Sequence, residues 1–131
     1  TSLRTTNYPS QNYNFAINTN TEHTVGRDVT TNNKPFEGYM AEVYFVDGSQ
    51  LDSTYFGKFN SNGVWIPVEL NKGAGGTINF GTHGFYFEYK QTGTGTNSSG
   101  IGADTSGNDN HFSLVNMGSD HQTLQSPTFG S

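Results

Sequence analysis

The chain has 131 residues and a formal net charge of −5, with six Lys and Arg against eleven Asp and Glu. Without a basic run, that balance excludes sequence-independent nucleic-acid binding, which needs clustered cations. There is no cysteine, hence no disulfide framework, thiolate metal site or cysteine nucleophile, and no apolar run is long enough to span a bilayer.

Hydrophobic residues make up only 31% of the chain, yet aromatics reach 14%. The apolar content is therefore concentrated in Phe and Tyr, which bury much area each. Gly, Asn, Thr and Ser are abundant and strong helix formers are scarce. This is the profile of a turn-rich, all-β chain. Its length suits one domain, burying about two-thirds of its unfolded surface.

In chain order, residues 1–35 form a polar, Asn- and Thr-rich N-terminal segment holding the first strands. Its opening, Thr1-Ser2-Leu3-Arg4, lacks the pattern of a secretory signal. Tyr13, Phe15 and Ile17 alternate and predict a strand, and His23–Thr30 predicts another. Phe36–Gly48 is the strongest strand signal. Ala41, Val43 and Phe45 share an apolar face, so Val43 and Phe45 are expected in the core. Met40, Glu42, Tyr44 and Val46 share the other, wetter face.

Asp47-Gly48 closes that strand with turn chemistry. Gln50–Phe59 predicts a short helical turn capped by Asp52 or Ser53, with Tyr55 and Phe56 packing inward. Asn60-Ser61-Asn62-Gly63 is a turn. Val64–Val68 is a short strand whose Pro67 argues for an edge or an end. Lys72-Gly73-Ala74-Gly75-Gly76 reads as a flexible loop. It lacks the Lys-Ser/Thr and the helix of a phosphate loop.

Thr77–Phe80 and Gly84–Tyr89 predict two strands, with Phe85, Phe87 and Tyr89 on one face and Tyr86 and Glu88 on the other. Thr92–Gly102 is a low-complexity loop. Asp104–Asn110 is a compact turn cluster. His111–Val115 predicts a strand, with Phe112 and Leu114 on one side. Residues 118–131 are a polar tail carrying Leu124, Pro127 and Phe129.

Two stretches carry a resemblance. Phe36-Glu-Gly-Tyr-Met-Ala-Glu-Val-Tyr-Phe-Val-Asp-Gly resembles the late strand of laminin-G-like, concanavalin A-like jelly rolls, which a short helical turn follows. Gly102-Ala-Asp-Thr-Ser-Gly-Asn-Asp-Asn-His-Phe resembles the Asp-x-Ser-Gly-Asn-x-Asn turn that opens such a jelly roll. The run from Gly38 to Pro127 is similar to segments of virion and tail-fibre proteins of aquatic bacteriophages. The resemblance implies an antiparallel β-sandwich core over residues 36–117.

The motif that closes the family's fold comes first here, and the opening motif comes last. Either the sandwich is circularly permuted, or strands from a neighbouring subunit complete it. The second arrangement is heterologous and propagates into a fibre.

The glycosidases of this fold carry Glu-x-Asp-x-x-Glu on one strand face. Here Glu37, Glu42 and Asp47 are five apart. No carboxylate pair at the about 5–9.5 Å that hydrolysis needs is visible. No Gly-x-Ser-x-Gly elbow appears, and His23, His83, His111 and His121 are scattered. The chain is therefore read as no enzyme.

Asp104, Asn108 and Asp109 offer hard oxygen ligands in one loop, so calcium is the ion such a site would take. The plainer reading, that they supply turn geometry and Asx hydrogen bonds, is preferred. Trp65, Tyr55 and Tyr86 offer rings that stack on a pyranose. The alternative for Trp65 is a core or subunit-interface position. Asn97-Ser98-Ser99 matches a glycosylation acceptor, close to chance in so polar a loop.

The expected function is a structural subunit of a virion appendage or extracellular fibre, built from head-to-tail copies of itself. Leu3, Tyr8, Tyr13, Phe15 and Ile17 at one end and Leu124 and Phe129 at the other are the expected assembly contacts. An extended segment gains most by adding to a sheet edge. The alternative is an adhesin module that binds surface glycans.

Overall fold

The computed structural model describes residues 8–17, 19–28 and 35–123. The chain divides into two compact units, 1–35 and 36–131.

In the first unit no strand or helix forms among the described residues. The two strands expected around Tyr13–Ile17 and His23–Thr30 are replaced, over the described positions, by turns and bends. Local hydrogen bonds explain this. Asn12 takes a left-handed φ of 65°, and the Tyr13 amide donates to the Ser10 carbonyl at 3.1 Å. The Thr19 and Thr21 hydroxyls both donate to the Ala16 carbonyl, at 2.6 and 3.0 Å. Short polar side chains thus compete with any ladder for the backbone. Tyr13 and Phe15 meet edge to face at 5.0 Å instead of lining one strand face.

The second unit is β-rich, and none of its described helical turns exceeds three residues. Its first strand, β1, is Val43–Phe45. β2 is Gly57–Phe59, β3 is Trp65–Pro67 and β4 is Phe85–Phe87. β1 pairs antiparallel with β4, setting Val43 opposite Phe87, Tyr44 opposite Tyr86 and Phe45 opposite Phe85. β2 and β3 form a hairpin with Gly57 opposite Pro67, Lys58 opposite Ile66 and Phe59 opposite Trp65.

β1 is much shorter than its sequence signal. Glu42, just before it, has a φ of 52°, and Gly48, in the turn beyond it, 75°. A left-handed residue turns the chain out of the extended direction and ends the ladder. Tyr89, at φ 55°, likewise follows β4. Thr77–Phe80 and His111–Val115 form no ladder, yet their side chains pack as strand residues would. Ile78 and Phe80 are buried, and the Phe112 ring packs on Phe85 and Phe87 at 4.9 and 4.7 Å.

The β1–β4 ribbon is covered on both faces. On one, Tyr86 packs with Ile78 and Phe80 inside a ring of Tyr44, Val46, Leu51, Tyr55, Phe56 and Leu70. Tyr44 stacks on Tyr86 at 4.4 Å. On the other, Phe45 stacks on Phe85 at 5.1 Å and Phe85 on Phe87 at 4.6 Å. The face expected to be wetter is therefore packed as well. Val43, Tyr44, Phe45 and Val46 are all half-buried, and their β4 partners Phe85, Tyr86 and Phe87 are buried. Alternation assigned residues to faces correctly but not the cover over each face.

The helical turn is a 3-10 turn at Ser53–Tyr55, capped by Asp52, whose side chain accepts from the Thr54 amide at 2.9 Å. The glycine run after Lys72 is no free loop. The Gly75 amide donates to the Thr54 carbonyl at 3.3 Å, which seats the run against the 3-10 turn. A second 3-10 turn, Ser119–His121, begins the expected tail.

The core tyrosines give a pH prediction. Burial, above all, raises the Tyr44 and Tyr86 hydroxyls above their usual 10.0, and burial pushes Tyr89 up to about 12. Between pH 10 and 12 the unfolded chain has lost tyrosine protons that the folded chain keeps, so stability falls as pH rises. The chain should unfold in that window, with tyrosinate absorbance and loss of circular dichroism rising together. Independent titration of the tyrosines with the fold intact would contradict it.

Candidate functional site

The Asp104 loop is built from one carboxylate outward. Asp104 Oδ1 accepts from the Tyr86 amide at 2.8 Å and the Ser106 amide at 2.9 Å. Oδ2 accepts from the Ser106 hydroxyl at 2.9 Å and the Asn110 amide at 3.0 Å. The Asp104 amide donates to His111 Nδ1 at 3.0 Å. Asn108 Nδ2 donates to the Gly81 and Gly84 carbonyls at 2.6 and 3.0 Å. Asn110 Nδ2 donates to the Thr82 and Gly84 carbonyls at 3.1 and 2.9 Å.

The loop therefore staples the turn before β4 to the edge of β4. Both oxygens of Asp104 are occupied by donors, and Asn108 turns its amide nitrogen inward. Asp109 projects into solvent, its Oδ1 3.7 Å from His111 Nε2. Asp104 and Asn108 thus use their side chains for the loop's own hydrogen bonds. A cation there would have to displace the hydrogen bonds that hold the loop. Among the described residues no three His, Asp or Glu side chains form a metal-holding group.

Trp65, Tyr55 and Tyr86 do not meet on one surface. Tyr86 is 1% exposed and belongs to the core, and Tyr55 packs against that core. Trp65 alone is open, at 44%. Its indole lies over Gly57, where a Cβ would sit 2.0 Å from Cζ2. One face of the ring is thus seated on backbone, and the rest is free.

The residue that stands beside Trp65 is Phe59, its cross-strand partner, 72% exposed. Sequence reasoning passed over it. The signal was present in the Asn60–Gly63 turn. Asn60 Oδ1 accepts from the Asn62 and Val64 amides at 2.9 and 3.0 Å, which closes the turn that sets Phe59 opposite Trp65 in the ladder.

Alternating bonds fix which amides of this hairpin face outward. The Asn60 amide donates to the Val64 carbonyl at 2.9 Å and the Val68 amide to the Phe56 carbonyl at 3.0 Å. In an antiparallel ladder bonded and non-bonded pairs alternate. Lys58 and Ile66 therefore bond each other, while Gly57, Phe59 and Trp65 turn their amides outward. Pro67 has no N–H, so it blunts the β3 edge as its sequence position suggested. On β2, Gly57 is buried while Lys58 and Phe59 are exposed.

Glu42 and Glu88 flank the two stacked tyrosines, and their charges help raise both hydroxyls after burial. Tyr44 donates to Glu42 Oε2 at 3.3 Å, and Glu88 is held by Lys90 at 2.6 Å. Among the expected assembly residues, Tyr8, Tyr13, Phe15 and Ile17 are all exposed. Leu3, Leu124 and Phe129 lie outside the described residues. Among the described residues no helix is long and apolar enough to cross a membrane.

No family model, curated protein or solved structure matches the chain.

Proposed function

We propose that this chain is a non-enzymatic structural subunit that assembles with copies of itself, head to tail, into a virion appendage or an extracellular fibre. The observation that carries the reading is the number of large apolar side chains left in water. Tyr8, Tyr13, Phe15 and Ile17 in the first unit are joined in the second by Phe36, Tyr39, Phe59, Val64 and Trp65, each more than 40% exposed. Where such side chains lie together they mark interaction surfaces in soluble proteins. The two short ribbons are then parts of a jelly-roll sandwich that neighbouring copies complete.

Sedimentation velocity across a concentration series tests this. The full chain is expected to form large, concentration-dependent assemblies. Replacing Tyr13 and Phe15 by Ser should weaken them without lowering the melting temperature of the second unit, since both residues are already exposed. A compact monomer at high concentration would end the assembly reading.

The second reading is a glycan-binding module, favoured by the open indole of Trp65 beside Phe59. Quenching of Trp65 fluorescence by oligosaccharides at concentrations too dilute for assembly would support it over the first.

A further inference from the structure

We propose that Asn62 is a site of spontaneous deamidation, held in check by the hydrogen bonds of Asn60. The site is independent of how the chain assembles. Asn62 is the one asparagine in the chain that glycine follows. The reaction needs the backbone nitrogen of the next residue to reach the carbonyl carbon of the Asn side chain. A side chain on that next residue obstructs the approach, and Gly63 has none. The surroundings are open too, since a Cβ built on Gly63 would meet nothing within 4 Å.

Asn62 and Gly63 are both exposed at the tip of the β2–β3 hairpin. No hydrogen bond holds the Asn62 side chain among the described residues. Asn97 is the contrasting case. It is exposed in a loop as well, but its Oδ1 accepts from the Ser99 amide at 2.9 Å, and the residue after it is Ser98.

The turn itself restrains the reaction. The Gly63 amide, the nitrogen that must attack, donates to the Asn60 carbonyl at 3.0 Å. Asn60 Oδ1 accepts from the Asn62 and Val64 amides at 2.9 and 3.0 Å, so it grips the chain on both sides of the Asn62–Gly63 bond. Gly63 completes the turn at a φ of 75°, which glycine adopts without steric cost. Attack therefore waits for local opening of the turn.

Once the turn is open, hydroxide takes the proton of the Gly63 amide. The nitrogen bonds to Asn62 Cγ, the Cγ–Nδ2 bond breaks, and the departing nitrogen takes up a proton and leaves as ammonia. Water then opens the cyclic imide at either carbonyl, giving aspartate or isoaspartate. Both products add a negative charge to the hairpin. Isoaspartate also inserts a methylene into the backbone of the turn that sets Phe59 opposite Trp65.

Ageing of the folded full chain at mildly alkaline pH tests this, read by peptide mapping with mass spectrometry. The peptide holding Asn62 should convert first, into two acidic products of equal mass, while the Asn97 peptide stays intact. Asn60→Ala should speed the conversion roughly tenfold, the rise in open turn expected when two net hydrogen bonds are lost. Asn60→Asp keeps a side-chain oxygen to accept from both amides, so it should age as slowly as the wild type. Conversion of any other asparagine before Asn62 would overturn the site. Wild-type rates in Asn60→Ala, or an Asn60→Asp as fast as Asn60→Ala, would overturn the restraint by Asn60. Equal acceleration at Asn97 in Asn60→Ala would overturn it as well, because global unfolding and not this turn would then set the rate.

Discussion

Replacing Asp104 by Ala is expected to cost about 3–5 kcal/mol, the largest single loss from a polar side chain in this chain. The carboxylate is only 5% exposed. It accepts four hydrogen bonds, three from backbone amides and one from a hydroxyl. Truncation leaves those donors facing each other without an acceptor. A buried donor stripped of its partner costs about 1–3 kcal/mol, more when the partner was charged. Part of that cost is relieved where the loop can open to water. Asp104→Asn should lose less, about 2 kcal/mol, because one acceptor oxygen survives while the new NH2 faces donors. Urea unfolding midpoints at neutral pH measure both. A loss under about 1 kcal/mol for Asp104→Ala would show that the loop does not hold β4 in place.

Phe87→Ala should destabilise by about 3–5 kcal/mol, and Phe45→Ala clearly less, although the two residues occupy the same face of one ribbon. Phe87 is 1% exposed. Its ring is touched by Phe85 at 4.6 Å, Phe112 at 4.7 Å and Tyr89 at 6.0 Å. Removing it opens a cavity between its own strand, with Phe85 and the following Tyr89, and the segment of Phe112. Phe45 is half-buried and sits against Phe85, so water can follow its removal. Paired thermal melts of the two variants decide the matter. Equal losses would mean that the face of Phe45 is covered as fully as that of Phe87.

The contrast between these residues reflects what sequence could supply. A cap at Asp52 or Ser53, a turn at Asn60–Gly63 and a tight cluster at Asp104–Asn110 were all readable, whereas the strand at Gly57–Phe59 was hidden in the expected helical turn. Each of the three readable features depends on hydrogen bonds between residues a few positions apart, so the local residue types suffice. The grouping of Phe85 with Phe87, and of Tyr44 with Val46, was also readable, because alternation is a property of a single strand.

That both groups are covered was not readable. Tyr44 and Glu42 share a face that their polar atoms mark as wet, yet Phe56, Phe80 and Tyr86 arrive from elsewhere and cover Tyr44. Glu42 is the residue whose left-handed backbone cuts the long strand signal short. The same limit applies to Trp65. Flanked by Val64 and Ile66, it looks like core, but its hairpin has an outer face that no described segment covers. Sequence by itself determined several turns and the sides of β1 and β4. Only the tertiary structure decided that both sides of the β1–β4 ribbon are covered while the outer face of Trp65 stays open, because burial depends on segments far apart in the chain and on no local pattern.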